Sequence, residues 1–177
     1  MLDHAHSGLA RGFLVAAALL ASVGVGCAHG ASPQDAAVTT PAEWTPNADE
    51  DAVYRALSVR DGGPDCASVE ALAKDPVAAL VSMVENVQQP PWVAVRAAQC
   101  LVRGHAEQVK PNLMTWVVAP QKRGLAILLA NEADAMPEAV AVEVARVGLA
   151  GPYAEDMRKR LVNSQHASVR ALVAPAP

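Results

Sequence analysis

Apolar residues recur at three- and four-residue intervals along most of the chain, and the intervals restart at each proline or glycine. In one stretch, the apolar side chains at i, i+3, i+4, i+7 and i+10 are Val77, Leu80, Val81, Val84 and Val87. This spacing is typical of one face of an α-helix. No long run alternates between apolar and polar residues, as a half-buried β-strand does. The pattern predicts an all-α chain of about seven to nine short helices.

Polar residues mark where several of these helices begin. Asn47 followed by Glu50 matches a capping box, in which each side chain accepts a hydrogen bond from the backbone of the other residue. Asp75 followed by Pro76 places a capping side chain before a proline at the first helical position. Asp65 is expected to cap a short helix in the same way. These signals predict a helical domain over residues 48–173, followed by a frayed tail at 174–177.

The break at residues 87–91 is short, which favours an antiparallel helical hairpin. Its second arm is predicted at residues 92–103, where Val93, Ala97 and Leu101 form an apolar stripe. Gly104 is the predicted stop, because glycine commonly ends helices. This arm is the most clearly bounded apolar helix of the sequence.

The composition indicates which residues build the core and which class of partner is not expected. The chain has 177 residues, of which 52% are hydrophobic and only 3% aromatic, so its core must be built from Ala, Val, Leu and Met. Such a core suits closely packed helices. The formal net charge is -4, and the sequence lacks the excess of Lys and Arg that a nucleic-acid-binding surface needs. We therefore expect no nucleic-acid partner.

The first 26 residues have the pattern of a signal peptide. The apolar run from Phe13 to Val25 is shorter than the ~20 residues that a membrane-spanning helix needs, but it suits a signal-peptide core. It ends in Gly26-Cys27, which resembles a bacterial lipoprotein signal, although Gly24 departs from that family's usual leucine. The resemblance implies cleavage before Cys27 and lipid attachment to its thiol. Plain secretion with cleavage near Ala28, or a buried structural Cys27, are the alternatives.

Residues 27–47 lack apolar periodicity and are rich in Pro, Ser, Thr and Ala, so we predict a flexible tether. Trp44 is expected to dock on the domain or to be exposed, with a partner contact as the alternative. A lipid on Cys27 would hold the protein at the periplasmic face of a membrane in the bacterial cell envelope. A secreted soluble protein is the alternative.

Cys66 and Cys100 remain as an even pair if Cys27 carries lipid. An even pair in an oxidising compartment predicts a disulfide. In a cytosolic protein both residues would be buried thiols.

The segment from Asp75 to Leu101 resembles a HEAT-like repeat, in which the second helix carries a Val-Arg pair. Here that pair is Val95-Arg96, and Val169-Arg170 repeats it near the end of the chain. The resemblance implies a short α-solenoid of helical hairpins, with an irregular helical bundle as the alternative. It also implies a structural bond between Arg96 and Asp75.

Solenoids of this kind bind protein partners, often along the second helices, so the resemblance implies a non-catalytic interaction or scaffold role in the envelope. The candidate contact residues on the second arm are Trp92, Arg96 and Arg103. A carrier of a small apolar ligand and an enzyme of unrecognised type are the alternatives.

The pattern of reactive side chains predicts no catalytic, cofactor or metal site. The histidines after the signal region are His29, His105 and His166, and none stands in a nucleophile motif or in H-E-x-x-H. The basic cluster Arg158-Lys159-Arg160 with Arg170 is interpreted as a solvated helix face, with contact to anionic envelope polymer or lipid as the alternative.

Overall fold

A computed structural model describes residues 44–62 and 65–174. The chain divides into two units, Met1–Pro41 and Ala42–Pro177, and all described residues belong to the second. Several predictions therefore lie outside the described residues: the signal peptide at 1–26, the lipidation of Cys27, the position of His29, the tether up to residue 43, and residues 175–177 of the tail.

The described residues form helices separated by short breaks. The helices are α1 (Ala48–Ser58), α2 (Cys66–Glu70), α3 (Pro76–Asn86), α4 (Pro91–His105), α5 (Lys110–Trp116), α6 (Arg123–Asn131), α7 (Glu138–Leu149), α8 (Ala154–Leu161) and α9 (Ala167–Val173). A 3₁₀ turn, Ala133–Ala135, lies between α6 and α7. Residues 44–62 and 65–174 contain no β-strand, and the all-α prediction is confirmed.

The predicted helix starts are confirmed by their hydrogen bonds. Asn47 Oδ1 accepts from the backbone N–H of Glu50 at 3.0 Å, and Glu50 Oε2 accepts from Asn47 N–H at 2.8 Å. Asp65 and Asp75 each accept from the amide three residues later, at 2.8 Å and 3.0 Å. These bonds satisfy amides that the first turn of a helix leaves without partners.

The predicted stop at Gly104 is wrong, because α4 continues through it to His105. Ala106 still has helical dihedral angles, φ -52° and ψ -41°. The amide of Val109 then donates to the carbonyl of His105 at 3.0 Å, so the chain keeps turning toward α5. Glycine therefore did not act as a C-cap here, because nothing turns the chain into the left-handed region.

The helices pack in the order in which they occur in the chain. Successive pairs are α3 with α4, α5 with α6, and α7 with α8. Helix α4 also packs on α6 and α6 on α8, while α5 packs on α7 and α7 on α9. Helices α1 and α3 pack together, and α1 also contacts α4. Two layers result, one of α3, α5, α7 and α9 and the other of α4, α6 and α8.

The core between the layers is made of small and medium apolar side chains, as the composition predicts. Its largest fully buried members include Leu57, Leu80, Met83, Leu101, Leu113, Leu129, Met157 and Leu161. Small residues allow the closest approaches: a Cβ atom at Gly148 would lie 2.7 Å from Val117 Cγ2, and nearer still to Met157 Sδ. Glycine at position 148 is therefore a packing requirement.

Trp44, near the start of the described residues, docks on the domain. Its ring packs edge-on against Tyr54 of α1, with 5.9 Å between the ring centroids. The side chain is partly buried against the core. The docked position of Trp44 was one of the two expected from the sequence.

Candidate functional site

Four residues of α4 lie on one face at four-residue intervals: Trp92, Arg96, Cys100 and Gly104. We call this set the anchoring face, because it faces the end of α1 and the chain that follows: Trp92 and Arg96 bind carbonyls there, Cys100 is bonded to α2, and Gly104 lies beside Glu70 of α2. Residues four apart on a helix lie one above the other. One helix face therefore fixes a long connection that has little regular structure of its own.

The upper end of the anchoring face holds the end of α1. The indole Nε1 of Trp92 donates to the carbonyl of Ser58 at 3.3 Å. Nearby, the hydroxyl of Tyr54 donates to the carbonyl of Gln89 at 3.4 Å. The two bonds join the start of α4 and the connection before it to the second half of α1, so Trp92 has a structural role inside the domain.

The guanidinium of Arg96 is bound to carbonyls in the last turn of α1 and just after it. Nη1 donates to the carbonyl of Leu57 at 2.9 Å and also to that of Val59, and Nη2 donates to Arg60 at 2.9 Å. The last carbonyls of a helix lack intrahelical partners and carry the negative end of its dipole. A planar cation with several donors suits this site.

The implied bond between Arg96 and Asp75 is wrong. Asp75 Oδ1 is used to cap α3, where it accepts from Ala78 N–H. The donors of Arg96 reach the end of α1 instead. An acidic residue that begins a helix has free amides next to it, and those amides compete with a more distant arginine.

The middle of the anchoring face carries the predicted disulfide. Cys66 of α2 and Cys100 of α4 are bonded, with their Cα atoms 5.2 Å apart. Cys100 is only 4% exposed, whereas Cys66 is partly exposed. The prediction of this bridge is confirmed.

The lower end of the anchoring face contacts Glu70, the last residue of α2. Glu70 Oε1 lies 3.2 Å from His105 Nε2, and it would lie 3.5 Å from a Cβ atom at Gly104. The imidazole nitrogen is buried and lacks hydrogen-bond geometry toward Glu70. The contact therefore gains its ionic character only when the imidazole is protonated.

A surface cleft of about 390 Å³ adjoins His105 and is lined by residues 102–108 and 135–137. A second cleft, of about 280 Å³, opens beside the disulfide. Its lining residues are Leu57, Asp65, Cys66, Arg96, Gln99, Cys100 and Arg103. Two arginines and the disulfide thus share one surface depression.

The neighbouring face of α4 connects this helix to the end of α6. Arg103 donates from Nε and Nη2 to the two oxygens of Glu132, each at 2.9 Å, and Gln99 donates to Glu132 at 2.8 Å. Burial raises the pKa of Glu132, but the bonds from Arg103 and Gln99 outweigh it and leave the pKa below its ordinary value. The same pair raises the pKa of Arg103.

Comparable ion pairs join α6 to α8 and α5 to α7. Arg123 of α6 binds both oxygens of Asp156 of α8, at 2.8 Å and 3.0 Å. Lys110 of α5 binds Glu143 of α7 at 3.0 Å. Both pairs have a sequence separation of 33 residues.

A polar cluster at the last break includes serine, aspartate and histidine, but not as a nucleophile and its base. Ser164 Oγ donates to Asp134 at 2.5 Å, and His166 Nε2 lies 3.1 Å from the carbonyl of Met136. Burial raises the pKa of Asp134, but the bonds from Ser164 and from Gln165 N–H outweigh it and lower the pKa. The cluster joins the 3₁₀ turn to the start of α9.

A groove of about 480 Å³ lies between the α3–α4 connection and the start of α6. Its floor is largely apolar, and its lining includes Val84, Val87, Val95, Gly124 and Leu125. Lys122 at its edge donates to the carbonyl of Val84 at 2.8 Å, and burial lowers the pKa of this lysine.

Across residues 44–62 and 65–174, no three His, Cys, Asp or Glu side chains are arranged to hold a metal ion. In the same part of the chain, no helix has the length and apolarity to cross a membrane.

Sequence reasoning identified α4 but missed what its polar residues bind. The three candidate contact residues, Trp92, Arg96 and Arg103, all lie on this helix, and each has an intramolecular partner. The acceptors of Trp92 and Arg96 are backbone carbonyls. Every residue has a backbone carbonyl, so the sequence does not indicate which of them will be bound. The four-residue spacing of the anchoring face was the available signal for a shared role.

No known family model, curated protein or solved structure matches this chain.

Proposed function

We propose that the protein is an exported, lipid-anchored and non-catalytic module that binds another protein of the bacterial cell envelope. The proposal combines the signal-peptide pattern of residues 1–26, the lipidation candidate Cys27 and the helical domain. The observation that carries it is the disulfide between Cys66 and Cys100. Disulfides persist in exported proteins and are rare where cytosolic reductants act.

The proposed architecture is a short solenoid of HEAT-like hairpins. The packing of helices in chain order supports it, as does the spacing of the polar pairs that join one hairpin to the next. In such arrays each unit contacts its neighbours and presents an extended surface to partners.

The exposed side of α4 is the proposed partner-binding surface. Val95, Gln99 and Arg103 lie on it at four-residue intervals, and Val95 is 37% exposed. The side chain of Arg103 remains 55% exposed although it binds Glu132. Trp92 and Arg96 are more enclosed and hold the end of α1, so Arg103 is the best placed of the three candidates.

The membrane anchor is tested by the intact mass of the mature protein purified from membranes. We expect the mass of a chain that begins at Cys27 and carries acyl chains. The matched control, Cys27→Ala, should lose the acyl mass and leave the membrane fraction. A mature wild-type chain that begins elsewhere, or that lacks lipid, would contradict the anchor.

The interaction role is tested by quantitative affinity capture from detergent-solubilised envelope membranes. The test variant is Val95→Glu, which places a charge on the proposed surface. The matched control is Val162→Glu, which changes a valine that is 51% exposed just after α8. We expect one protein to be enriched by the wild type and the control, and to be reduced at least about tenfold by Val95→Glu, which corresponds to about 1.4 kcal/mol.

Equal recovery with both variants would contradict the assignment of the α4 surface. Failure to enrich any protein, together with a co-purifying small molecule, would contradict the interaction role itself.

A further inference from the structure

Residues 65–74 form a small unit that depends on the rest of the domain; we call it the latch segment. It consists of α2, with only five residues, and the turn that follows it. Val69 is the one fully buried side chain of α2. A single helical turn of this length is not stable on its own, because its nucleation cost is not recovered.

Besides the burial of Val69, three attachments hold the latch segment in place. Cys66 is bonded to Cys100, Glu70 contacts His105 at 3.2 Å, and the amide of Lys74 donates to Asp49 Oδ2 at 2.9 Å. The last two are weak, since one needs a protonated imidazole and the other is solvent-exposed. The disulfide is therefore the principal attachment to α4.

The two cysteines differ in their burial and in how extensively their helices pack on the rest of the domain. Cys100 is 4% exposed in the middle of the 15-residue α4, which packs on α1, α3 and α6. Cys66 is partly exposed at the first position of α2. Cleavage of the bridge thus leaves one sulfur buried in the packed core and the other on a short surface helix.

We propose that the Cys66–Cys100 disulfide is a redox-operated latch, opened by an external dithiol, that releases residues 65–74 from α4 while α4 to α9 stay folded. The carrying observation is the pairing of a one-turn helix with a rigid partner through a disulfide that lines an open cleft. The inference does not depend on the lipid anchor or on the partner proposed above.

The exchange proceeds at the more accessible sulfur. A thiolate of the dithiol attacks Cys66 Sγ, the disulfide bond breaks, and its electron pair leaves with Cys100 Sγ as a thiolate. The second thiolate of the reagent then attacks its own sulfur in the mixed disulfide and displaces the Cys66 thiolate. The reagent is oxidised to a disulfide by two electrons, and the two protein thiolates take protons from solvent.

The cleft suits this chemistry because Arg96 and Arg103 line it beside the disulfide. Cationic side chains near a disulfide favour the approach of a thiolate and the departure of another. Helix α2 packs on α1 and α3, with Val69 buried. Release of α2 therefore exposes Val69 and the apolar surface of α1 and α3 that α2 covers.

Backbone hydrogen exchange of the full chain tests the latch. The oxidised protein, the dithiothreitol-reduced protein and the Cys66→Ser/Cys100→Ser variant are compared at one pH. We expect the amides of residues 66–74 to exchange at least about 100-fold faster in the second and third samples, with the protection of α4 to α9 retained. The double variant should not respond to dithiothreitol.

Unchanged protection of residues 66–74 after reduction would overturn the proposal, because the bridge would then be redundant. Loss of protection throughout α4 to α9 would overturn it too, because the bridge would then stabilise the whole domain.

The attacked sulfur is identified with glutathione as a monothiol probe and tryptic mass mapping. We expect the adduct on peptide 61–74, which contains Cys66; an adduct on peptide 97–103 instead would contradict the stated order of attack.

Discussion

Arg103 and Glu132 form a two-point ion pair between α4 and the end of α6, in which both nitrogen-to-oxygen distances are 2.9 Å. The carboxylate is the more enclosed partner, since its side chain is only 12% exposed while that of Arg103 is 55% exposed. Protonation of Glu132 would therefore leave a partly buried carboxyl group without its main electrostatic partner. This makes Glu132 a determinant of stability in acid.

We predict that the free energy of unfolding falls as the solution is acidified from about pH 5 to about pH 3. The bound carboxylates of Glu132 and Asp134 have pKa values below the ordinary 4.5 and 3.8. The unfolded chain therefore binds more protons in this range, and stability present above the ordinary pKa is lost as pH falls through the folded pKa. Urea unfolding at a series of pH values checks this.

The Glu132→Gln variant should be less stable than the wild type at neutral pH and should lose less stability on acidification. Parallel pH dependence in the two proteins would show that the pair does not contribute to acid sensitivity.

Replacement of Arg96 by alanine should destabilise the domain by about 2–3 kcal/mol, since it removes charge-assisted hydrogen bonds to three carbonyls at the end of α1. Arg96→Lys should be intermediate, because one ammonium cannot reproduce the fork. The measurement is the free energy of unfolding in urea.

The matched control is Arg55→Ala on α1. The side chain of Arg55 is 76% exposed and pairs only with Asp51 four residues away, so its loss should change stability by less than about 0.5 kcal/mol. Similar losses for Arg55→Ala and Arg96→Ala would argue against the role given to the carbonyl contacts.

We expect Gly148→Ala to destabilise the domain by about 1–2 kcal/mol, because overpacking against Val117 and Met157 exceeds the gain in helix propensity. Gly124→Ala is the control, since a Cβ atom there meets nothing within 4 Å. It should stabilise the domain by up to about 1 kcal/mol. Thermal and urea unfolding compare the two, and a neutral Gly148→Ala would contradict the tight packing.

Ser164→Ala should cost about 1–2 kcal/mol, because a buried hydroxyl bound to Asp134 is removed. The pKa of Asp134 should also rise, since the bond from Ser164 is among the causes that lower it. Carboxyl titration by NMR measures the pKa directly. A lower stability with an unchanged pKa would assign the cost to packing instead of the hydrogen bond.

Much of the fold was predictable because it follows from local rules. The 3.6-residue spacing of apolar residues predicted the helices, and the caps at Asn47, Asp65 and Asp75 fixed their starts. The disulfide was predicted because Cys66 and Cys100 form an even pair once Cys27 is set aside as the lipidation candidate. Helix ends were less predictable, as Gly104 demonstrates, because continuation depends on the chain that follows.

The candidate site was predictable only in its position on the chain. The sequence placed Trp92, Arg96 and Arg103 on one helix, but it did not reveal their acceptors. Arg96 and Trp92 bind carbonyls whose availability is set by where α1 ends, and that is a property of the packed domain. The Arg103–Glu132 pair depends on how α4 packs against α6, which no local pattern reports.

The polar pairs that join different hairpins have a mechanical consequence. The pairs at Arg103, Arg123, Lys110 and Lys122 span 29, 33, 33 and 38 residues. Each such pair connects one pair of helices to the next pair. It therefore transmits no force directly to helices further along the chain. If the domain is pulled by its two ends, the terminal helices should detach first. The force record should then show several small steps instead of one large rupture.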